Sequence, residues 1–325
     1  MTKIRSIPVG SGAYLPENCM TNEDLAKTVD TSDEWIRSRT GIKRRHIAAE
    51  GQYTSDLAIS AANSALKDAG LTGADIDLIV VGTTTPDETF PSTAVKVQAA
   101  LGMDHGFAFD VQAVCSGFVY AMTVADNMIR GGDIKRALVI GAETLSRILN
   151  WEDRTTCVLF GDGAGAVMLE ASEEEGTLSD RGIIASAMRS DGRFRDLLYV
   201  TGGPSSTENV GKIVMEGKEI FRHAVNNLAA IANEVLENVG LTSDDIDWVI
   251  PHQANQRILD STIKKLKIPT EKVIMTVGEH ANTSAASIPL ALVHAIQCGK
   301  VKKGDLLLME AMGGGLTWGA LLIRW

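Results

Sequence analysis

Leu66-Lys-Asp-Ala-Gly70-Leu71-Thr72-Gly-Ala-Asp75-Ile76-Asp77-Leu-Ile-Val80 returns 170 residues later as Leu236-Glu-Asn-Val-Gly240-Leu241-Thr242-Ser-Asp-Asp245-Ile246-Asp247-Trp-Val-Ile250, with seven of fifteen positions identical. Chance pairing of such a stretch gives about one identity, and the offset is close to half of the chain, as a tandem duplication requires. Each copy also ends alike. Gly132-Asp133 precedes the apolar run Ala137 to Ile140, and Gly304-Asp305 precedes Leu306 to Met309.

The first copy reads as a helix from Ser55 to Ala69, capped by Thr54 or Ser55, with Leu57, Ala61, Ala65 and Leu66 on one face and Gly70 closing it. A buried strand follows at Leu78 to Gly82. Near-continuous apolar runs recur at Ala137 to Ile140, Val158 to Phe160, Val249 to Pro251, Val273 to Val277 and Leu306 to Met309, alternating with helical stretches. The pattern predicts two α/β halves, 1–175 and 176–325, each built on a largely buried sheet. Ser172-Glu-Glu-Glu-Gly176 reads as an exposed turn between them, and Arg189 to Thr207, dense in Gly, Asp, Arg and Ser, as a loop.

The 325 residues are 45% hydrophobic and 22% charged with 31 glycines, which excludes disorder, collagen and coiled coil. A net charge of −10 argues against nucleic-acid or anionic-membrane binding, so an acidic partner would need a local basic patch. Cys19, Cys115, Cys157 and Cys298 form no CxxC pair and fit neither a zinc site nor a disulfide scaffold. Charges and Pro8 interrupt the first residues before a signal-peptide core, and no run of about 20 apolar residues occurs anywhere, so the expected location is cytoplasmic.

Cys115 lies in the small-residue turn Ala113-Val-Cys115-Ser116-Gly117, between a strand-like Phe107 to Val111 and a helix-like Phe118 to Ile129. A helix start favours thiolate and presents backbone N–H groups to an oxyanion, although from this turn alone a buried structural cysteine is the commoner occurrence. His252 follows Val249 to Pro251 at a strand's C-terminal edge, where α/β proteins place their sites, and its duplicate is Gly82. A loop histidine of no function would fit there equally. Asn282, in His280-Ala-Asn282-Thr283-Ser-Ala-Ala-Ser287, lies within a few residues of the duplicate of Cys115 and would face it across a pseudo-dyad; an Asn-Thr-Ser helix start is also a common cap. Gly313-Gly314-Gly315-Leu-Thr-Trp318-Gly319 reads as a flexible loop that lets backbone approach a ligand, without the Lys-Ser/Thr of a P-loop. Phe160-Gly161-Asp162-Gly163-Ala-Gly165 reads as a glycine-rich loop or a tight strand connection.

These words, together with Thr31-Ser32-Asp33-Glu34-Trp35-Ile36, Arg39-Thr40-Gly41-Ile42, Cys115-Ser116-Gly117-Phe118 and Pro251-His252-Gln253-Ala254-Asn255, closely resemble the β-ketoacyl-acyl-carrier-protein synthase III family across essentially the whole chain. The resemblance implies the thiolase fold, two similar halves in an αβαβα sandwich, and a homodimer. It implies a transferase that condenses a short acyl-CoA with malonyl-acyl carrier protein, releasing CoA and CO2, and so initiates type II fatty-acid synthesis without metal or redox cofactor. Cys115, His252 and Asn282 match the catalytic triad, and the N–H groups of Cys115 and Gly314 the oxyanion hole. Trp35, Arg39 and Arg154 match CoA-binding positions, and Arg257, Lys264 and Lys265 the carrier-protein face. Phe90, in Thr89-Phe90-Pro91-Ser92, matches the residue that closes the partner's acyl pocket, and its bulk implies an acetyl donor.

One departure is Met312, where the family usually has Phe; both are large and apolar. Relatives of the same fold compete with this reading. Thiolases and elongating synthases carry His in place of Asn282, hydroxymethylglutaryl-CoA synthases use a catalytic Glu, and plant-type polyketide synthases are longer. A secondary-metabolite paralogue stays open, and a non-catalytic carrier-binding scaffold should have lost a triad member.

Overall fold

The computed structural model describes residues 2–325. The chain opens with β1 (Lys3–Tyr14), the short strand β2 (Cys19–Thr21), helices α1 (Asn22–Leu25) and α2 (Asp33–Thr40), and β3 (Arg44–His46), which pairs with β2. It continues through α3 (Thr54–Ala69), β4 (Leu78–Gly82), α4 (Thr93–Leu101), β5 (Phe107–Val111), α5 (Gly117–Gly131), β6 (Arg136–Thr144) and β7 (Asp162–Glu174). The second half holds β8 (Gly182–Ser190), β9 (Leu198–Val200), β10 (Ile213–Met215), α6 (Gly217–Glu237), β11 (Trp248–Pro251), α7 (Gln256–Leu266), α8 (Val277–His280), α9 (Ser287–Gln297), β12 (Leu306–Gly313) and β13 (Thr317–Arg324).

Two sheets result, ordered β1-β7-β6-β4-β5 and β8-β13-β12-β11. The strands alternate between faces, and both faces are apolar. Leu78 and Val80 of β4 point into a core shared with α5, α9 and the facing strands β12 and β13, whereas Ile79 and Val81 pack under α3 and α4. The outer face of the second sheet is covered by α6 and α7. The layers therefore run α, β, α, β, α, with α5 and α9 in the middle, as expected for the thiolase-like sandwich.

The duplication extends to single hydrogen bonds. Asp75 Oδ2 accepts the Thr72 N–H at 2.9 Å, and Asp245 Oδ2 accepts the Thr242 N–H at 2.8 Å. Asp77 Oδ2 accepts the Arg136 N–H at 2.9 Å, and Asp247 Oδ2 accepts the Leu306 N–H at 2.7 Å. Asp75 and Asp245 thus cap the turn before each copy's strand, and Asp77 and Asp247 pin that strand to its neighbour.

Several local expectations differ from the structure. The first helix begins at Thr54 behind an N-cap Tyr53 whose N–H bonds Asp56 at 2.8 Å, because Thr54 and Ser55 turn their hydroxyls to Thr85 and Asp87 instead of capping. Gly70 ends the helix at φ 68°, a left-handed position that favours glycine. Ser172 to Glu174 are not a turn; β7 carries them on because Lys3 pairs with Glu174, and the chain enters the second sheet at Gly182. Val158 to Phe160 form a buried turn with a single bridge from Phe160 to Asn282. Val273 to Val277 do not form a strand: Val273 bridges to Val249 at the edge position that β5 holds in the first half, and Val277 already opens α8. The Gln253 side chain takes over from the ladder there, accepting the N–H groups of Thr276 and Val277 at 2.7 and 3.0 Å and donating to the Pro251 and Ile274 carbonyls. The expected loop 189–207 contains the end of β8 and strand β9, which pairs with β10.

Candidate active site

Cys115 sits in a single 3-10 turn, Val114–Ser116, immediately before α5, and Ser284–Ala286 forms the same turn before α9. Val114 and Ser284 are 170 positions apart and share a left-handed backbone, at φ 48° and 50°. For a β-branched residue this is a costly conformation, of order 1–3 kcal/mol, that only surrounding packing sustains. The duplicate of Cys115 is thus Ala285, and the two turns pack against each other at the centre of the molecule.

A cavity of about 420 Å³ opens onto this contact, lined by Cys115, Ser284, Thr84, Gly314, Phe160 and Arg195 among others. The expected flexible glycine loop is in fact the tight connection between β12 and β13. Thr317 Oγ1 donates to the Ala113 carbonyl at 2.9 Å and pairs with Ser116 Oγ at 2.7 Å, tying that connection to the cysteine turn. Gly313 must lack a side chain, since a Cβ there would stand 2.5 Å from the Cys115 nitrogen. This close approach brings the following residue, Gly314, to the cavity wall beside Cys115. Met312 does not line the cavity. It is buried with Leu316, Ile220, Ala224, Leu228 and Ile258, a packing role that either Met or Phe fills.

Burial pushes the Cys115 thiol up to about 12, with the nearby Ser284 hydroxyl opposing that rise and the charge of Glu143 adding to it. The depressed thiol expected at a helix start is therefore not found; desolvation outweighs the helix terminus. His252 is brought down to about 3 by burial, so its imidazole is neutral at physiological pH. Its Nδ1 lies 2.7 Å from Ser287 Oγ, which also accepts the Gln253 N–H at 3.3 Å. Assigned so that every donor is used, Ser287 donates its proton to Nδ1, and Nε2 carries the ring proton. The duplicates of His252 and Ser287 are Gly82 and Gly117, whose backbones touch, so a close glycine contact in one half corresponds to a histidine–serine hydrogen bond in the other.

Asn282 is buried, and its Oδ1 accepts the Ser284 N–H at 2.9 Å. It does not cap α9, which starts at Ser287 behind Ala286. Among the described residues neither Asn282 Nδ2 nor His252 Nε2 has a hydrogen-bond partner. Asn282 and Ser287 flank the 284–286 turn, so Cys115, His252 and Asn282 gather around the contact of the two turns.

Three chemistry-bearing residues escaped the sequence reading: Ser287, Ser284 and Glu143. Laying Gly117 on Ser287 at the offset of 170 would have flagged the first; the others carry no motif of their own.

The remaining expected site residues lie outside this cavity. The Arg39 and Arg154 guanidinium carbons are 5.0 and 5.4 Å from the centre of the half-buried Trp35 ring. Arg257, Lys264 and Lys265 are exposed on α7, Arg257 lying 5.7 Å from the Phe221 ring and Lys265 reaching Asn226. Phe90 is 83% exposed and does not line this chain's cavity. Among the described residues no cluster of His, Cys, Asp and Glu could hold a metal, and no helix is long and apolar enough to cross a membrane.

Comparison with known proteins decides the family. Models of the 3-oxoacyl-[acyl-carrier-protein] synthase III family and of its C-terminal part match residues 109–192 and 236–325. The chain is 62% identical over 321 residues to a β-ketoacyl-[acyl-carrier-protein] synthase III of Paramagnetospirillum magneticum, covering 99% of each. The chain belongs to this family. It is 62% identical over 322 residues to the corresponding enzyme of Agrobacterium fabrum, covering 99% of this chain and all of that one. The crystal structure of 3-oxoacyl-[acyl-carrier-protein] synthase III from Aquifex aeolicus VF5 superposes with a TM-score of 0.93 at 50% identity, covering 98% of this chain and all of that one. As a synthase III the protein is an acyltransferase of the condensation that initiates fatty-acid synthesis.

Proposed function

We propose that this synthase III acylates Cys115 from a short acyl-CoA and condenses that group with malonyl-acyl carrier protein. The observation that carries the reading is the meeting of two turns: the Cys115 turn and the Gly314 backbone on the cavity wall, and the facing 284–286 turn that holds the unpartnered donors of neutral His252 and Asn282 through Ser287 and Ser284. Cys115 sulfur forms a bond to the acyl carbon and CoA leaves as a thiol, the Cys115 and Gly314 N–H groups holding the oxyanion in between. The malonyl thioester then loses CO2. Its oxygen gathers enolate charge, which the Nε2–H of His252 and the Nδ2–H of Asn282 stabilise better than they do the neutral carbonyl. The enolate carbon attacks the acyl-Cys115 carbonyl, the sulfur leaves, and 3-oxoacyl-carrier protein is released. No step draws on a metal or redox cofactor.

Residues 1–175 supply the nucleophile and 176–325 the donor pair. The Trp35, Arg39 and Arg154 cluster binds the CoA nucleotide by stacking and charge, and Arg257, Lys264 and Lys265 form the basic face that an enzyme of net charge −10 needs for an acidic carrier. The enzyme works as a cytoplasmic homodimer. Support comes from β5, an edge strand with Phe107 exposed, and from exposed Phe90, which would enter the partner's cavity and close it to all but short donors. Comparing kcat/KM for acetyl-, isobutyryl- and octanoyl-CoA tests the donor. Acetyl-CoA should lead, and Phe90→Ala should raise the larger two; a wild-type preference for a larger donor, or no gain in the variant, contradicts the gate.

A further inference from the structure

Glu143 is a buried carboxylate that the condensation as described above leaves idle. It stands at the end of β6, where Oε2 accepts the Thr85 hydroxyl at 2.6 Å and the Thr84 N–H at 3.1 Å, and Oε1 accepts the Ser284 hydroxyl at 3.0 Å. Ser284 lines the cavity with Cys115, on the turn that packs against the cysteine turn, so its hydroxyl stands between the thiol's surroundings and Glu143. The duplication sharpens the placement. The position equivalent to Glu143 in the second half is Gly313, which presses on the Cys115 turn; Glu143 occupies the same place against the Ser284 turn.

We infer that Glu143 receives the Cys115 proton through the Ser284 hydroxyl as the thiol attacks the acyl donor, so that the buried negative charge moves instead of doubling. The inference rests on the reading of Cys115 as the acylated nucleophile. As the Cys115 S–H bond breaks, its proton goes to Ser284 Oγ, and the Ser284 proton goes to Glu143 Oε1. The sulfur then bonds the acyl carbon, and CoA departs as a thiolate that is protonated by the same route in reverse. Glu143 ends as it began, and one proton has passed from Cys115 to CoA.

Charge and burial favour this route. Loss of the proton to solvent would leave two adjacent buried anions, whereas internal transfer keeps one. Burial holds the Glu143 carboxyl up near 7 against the pull of its hydroxyl and N–H donors, so it can take a proton under working conditions. Other ionisable groups around it are engaged elsewhere. Asp162 on the adjoining β7 is bound by Ala48 and Ser146, and His252 by Ser287, while Thr54, Thr83 and Thr85 bring hydroxyls without charge.

Glu143 acts through Ser284 and is a positioning residue, so the test must separate a relay from a fixed charge or a structural prop. A fixed negative charge opposes thiolate, and Glu143→Gln would then acylate faster; a relay predicts slower acylation. Acetyl transfer from acetyl-CoA is followed by quenched intact-mass analysis in wild type, Glu143→Gln and Ser284→Ala. Malonyl-CoA decarboxylation is compared between Cys115→Ala and its double variants with each substitution. The relay predicts acylation slowed about 100-fold or more in both single variants, in the range of lost proton-transfer catalysis, with decarboxylation by the double variants matching that of Cys115→Ala. Unchanged or faster acylation in either folded variant overturns it, as do equal losses in both reactions. Should Glu143→Gln not fold, Ser284→Ala decides by the same criteria. Failure of the underlying reading looks different, since wild type would then take up no acetyl group.

Discussion

Ser287→Ala tests whether the orientation of His252, and not merely its presence, drives enolate formation. The substitution removes a buried 2.7 Å bond to Nδ1 and leaves the Gln253 N–H without its 3.3 Å acceptor. Stripping a partner from buried polar groups costs about 1–3 kcal/mol of stability. The effect on rate has a separate origin. With no hydroxyl on Nδ1, nothing fixes the ring proton on Nε2, and the imidazole is free to turn or to present an acceptor where the developing oxyanion needs a donor. If about 1.4–2.8 kcal/mol of that preference is lost, decarboxylation falls roughly 10- to 100-fold. Acylation of Cys115 should stay within about threefold, because His252 has no part in it under this account. The assay measures malonyl-CoA decarboxylation and acetyl transfer separately, with thermal unfolding to certify the fold. Ser287→Thr, which keeps the hydroxyl, should recover most of the rate, and Ser287→Gly, which copies the first half's Gly117, should not. A folded Ser287→Ala with wild-type decarboxylation, or one that loses both half-reactions alike, would refute the reasoning.

Other consequences follow from the same contacts. Gly313→Ala places a methyl 2.5 Å from the Cys115 nitrogen, so it should lower stability by about 1–3 kcal/mol and cut acylation sharply; wild-type acylation kinetics would contradict the close approach. Glu310 is buried without a partner, and burial lifts it from 4.5 to about 8. Its carboxyl holds its proton longer in the folded chain, so its contribution is fully present below pH 4.5 and is lost as pH rises to about 8, up to about 5 kcal/mol. Denaturation midpoints of Glu310→Gln should therefore fall less than those of wild type over that interval, and parallel curves would count against it. Trp35→Ala and Arg154→Ala should raise KM for acetyl-CoA about 10-fold with little change in kcat, an effect absent if the pair only anchors α2. Arg257→Glu and Lys264→Glu should weaken use of malonyl-carrier protein, more so at low salt, while malonyl-CoA is used as before; equal losses for both acceptors would exclude docking.

The two-half architecture was legible because it was written twice, and because the capping acids Asp75 and Asp245 and the pinning acids Asp77 and Asp247 do the same work in each copy. Cys115, His252 and Asn282 stand out in the sequence through motif and position. What escaped was decided by tertiary partners. Thr54 and Ser55 have the chemistry of caps but spend their hydroxyls on distant residues. Val273 to Val277 have strand composition, yet the Gln253 side chain satisfies their backbone. The state of the Cys115 thiol was misjudged for the same reason: the helix start is local and visible, whereas the burial and the Glu143 charge that outweigh it come from elements far along the chain. Ser287 and Ser284 looked like ordinary residues of a helix start until the turns were seen to pack together.

Intact-mass analysis of wild type and Cys115→Ala after acetyl-CoA, and again after malonyl-carrier protein is added, tests the central claim most directly. Wild type should gain one acetyl group, located by peptide mapping at Cys115, and lose it to a 3-oxobutanoyl-carrier product on addition of the second substrate, while Cys115→Ala gains none. An acetyl group elsewhere, or an acetyl-Cys115 that persists unchanged beside malonyl-carrier protein, would contradict the account.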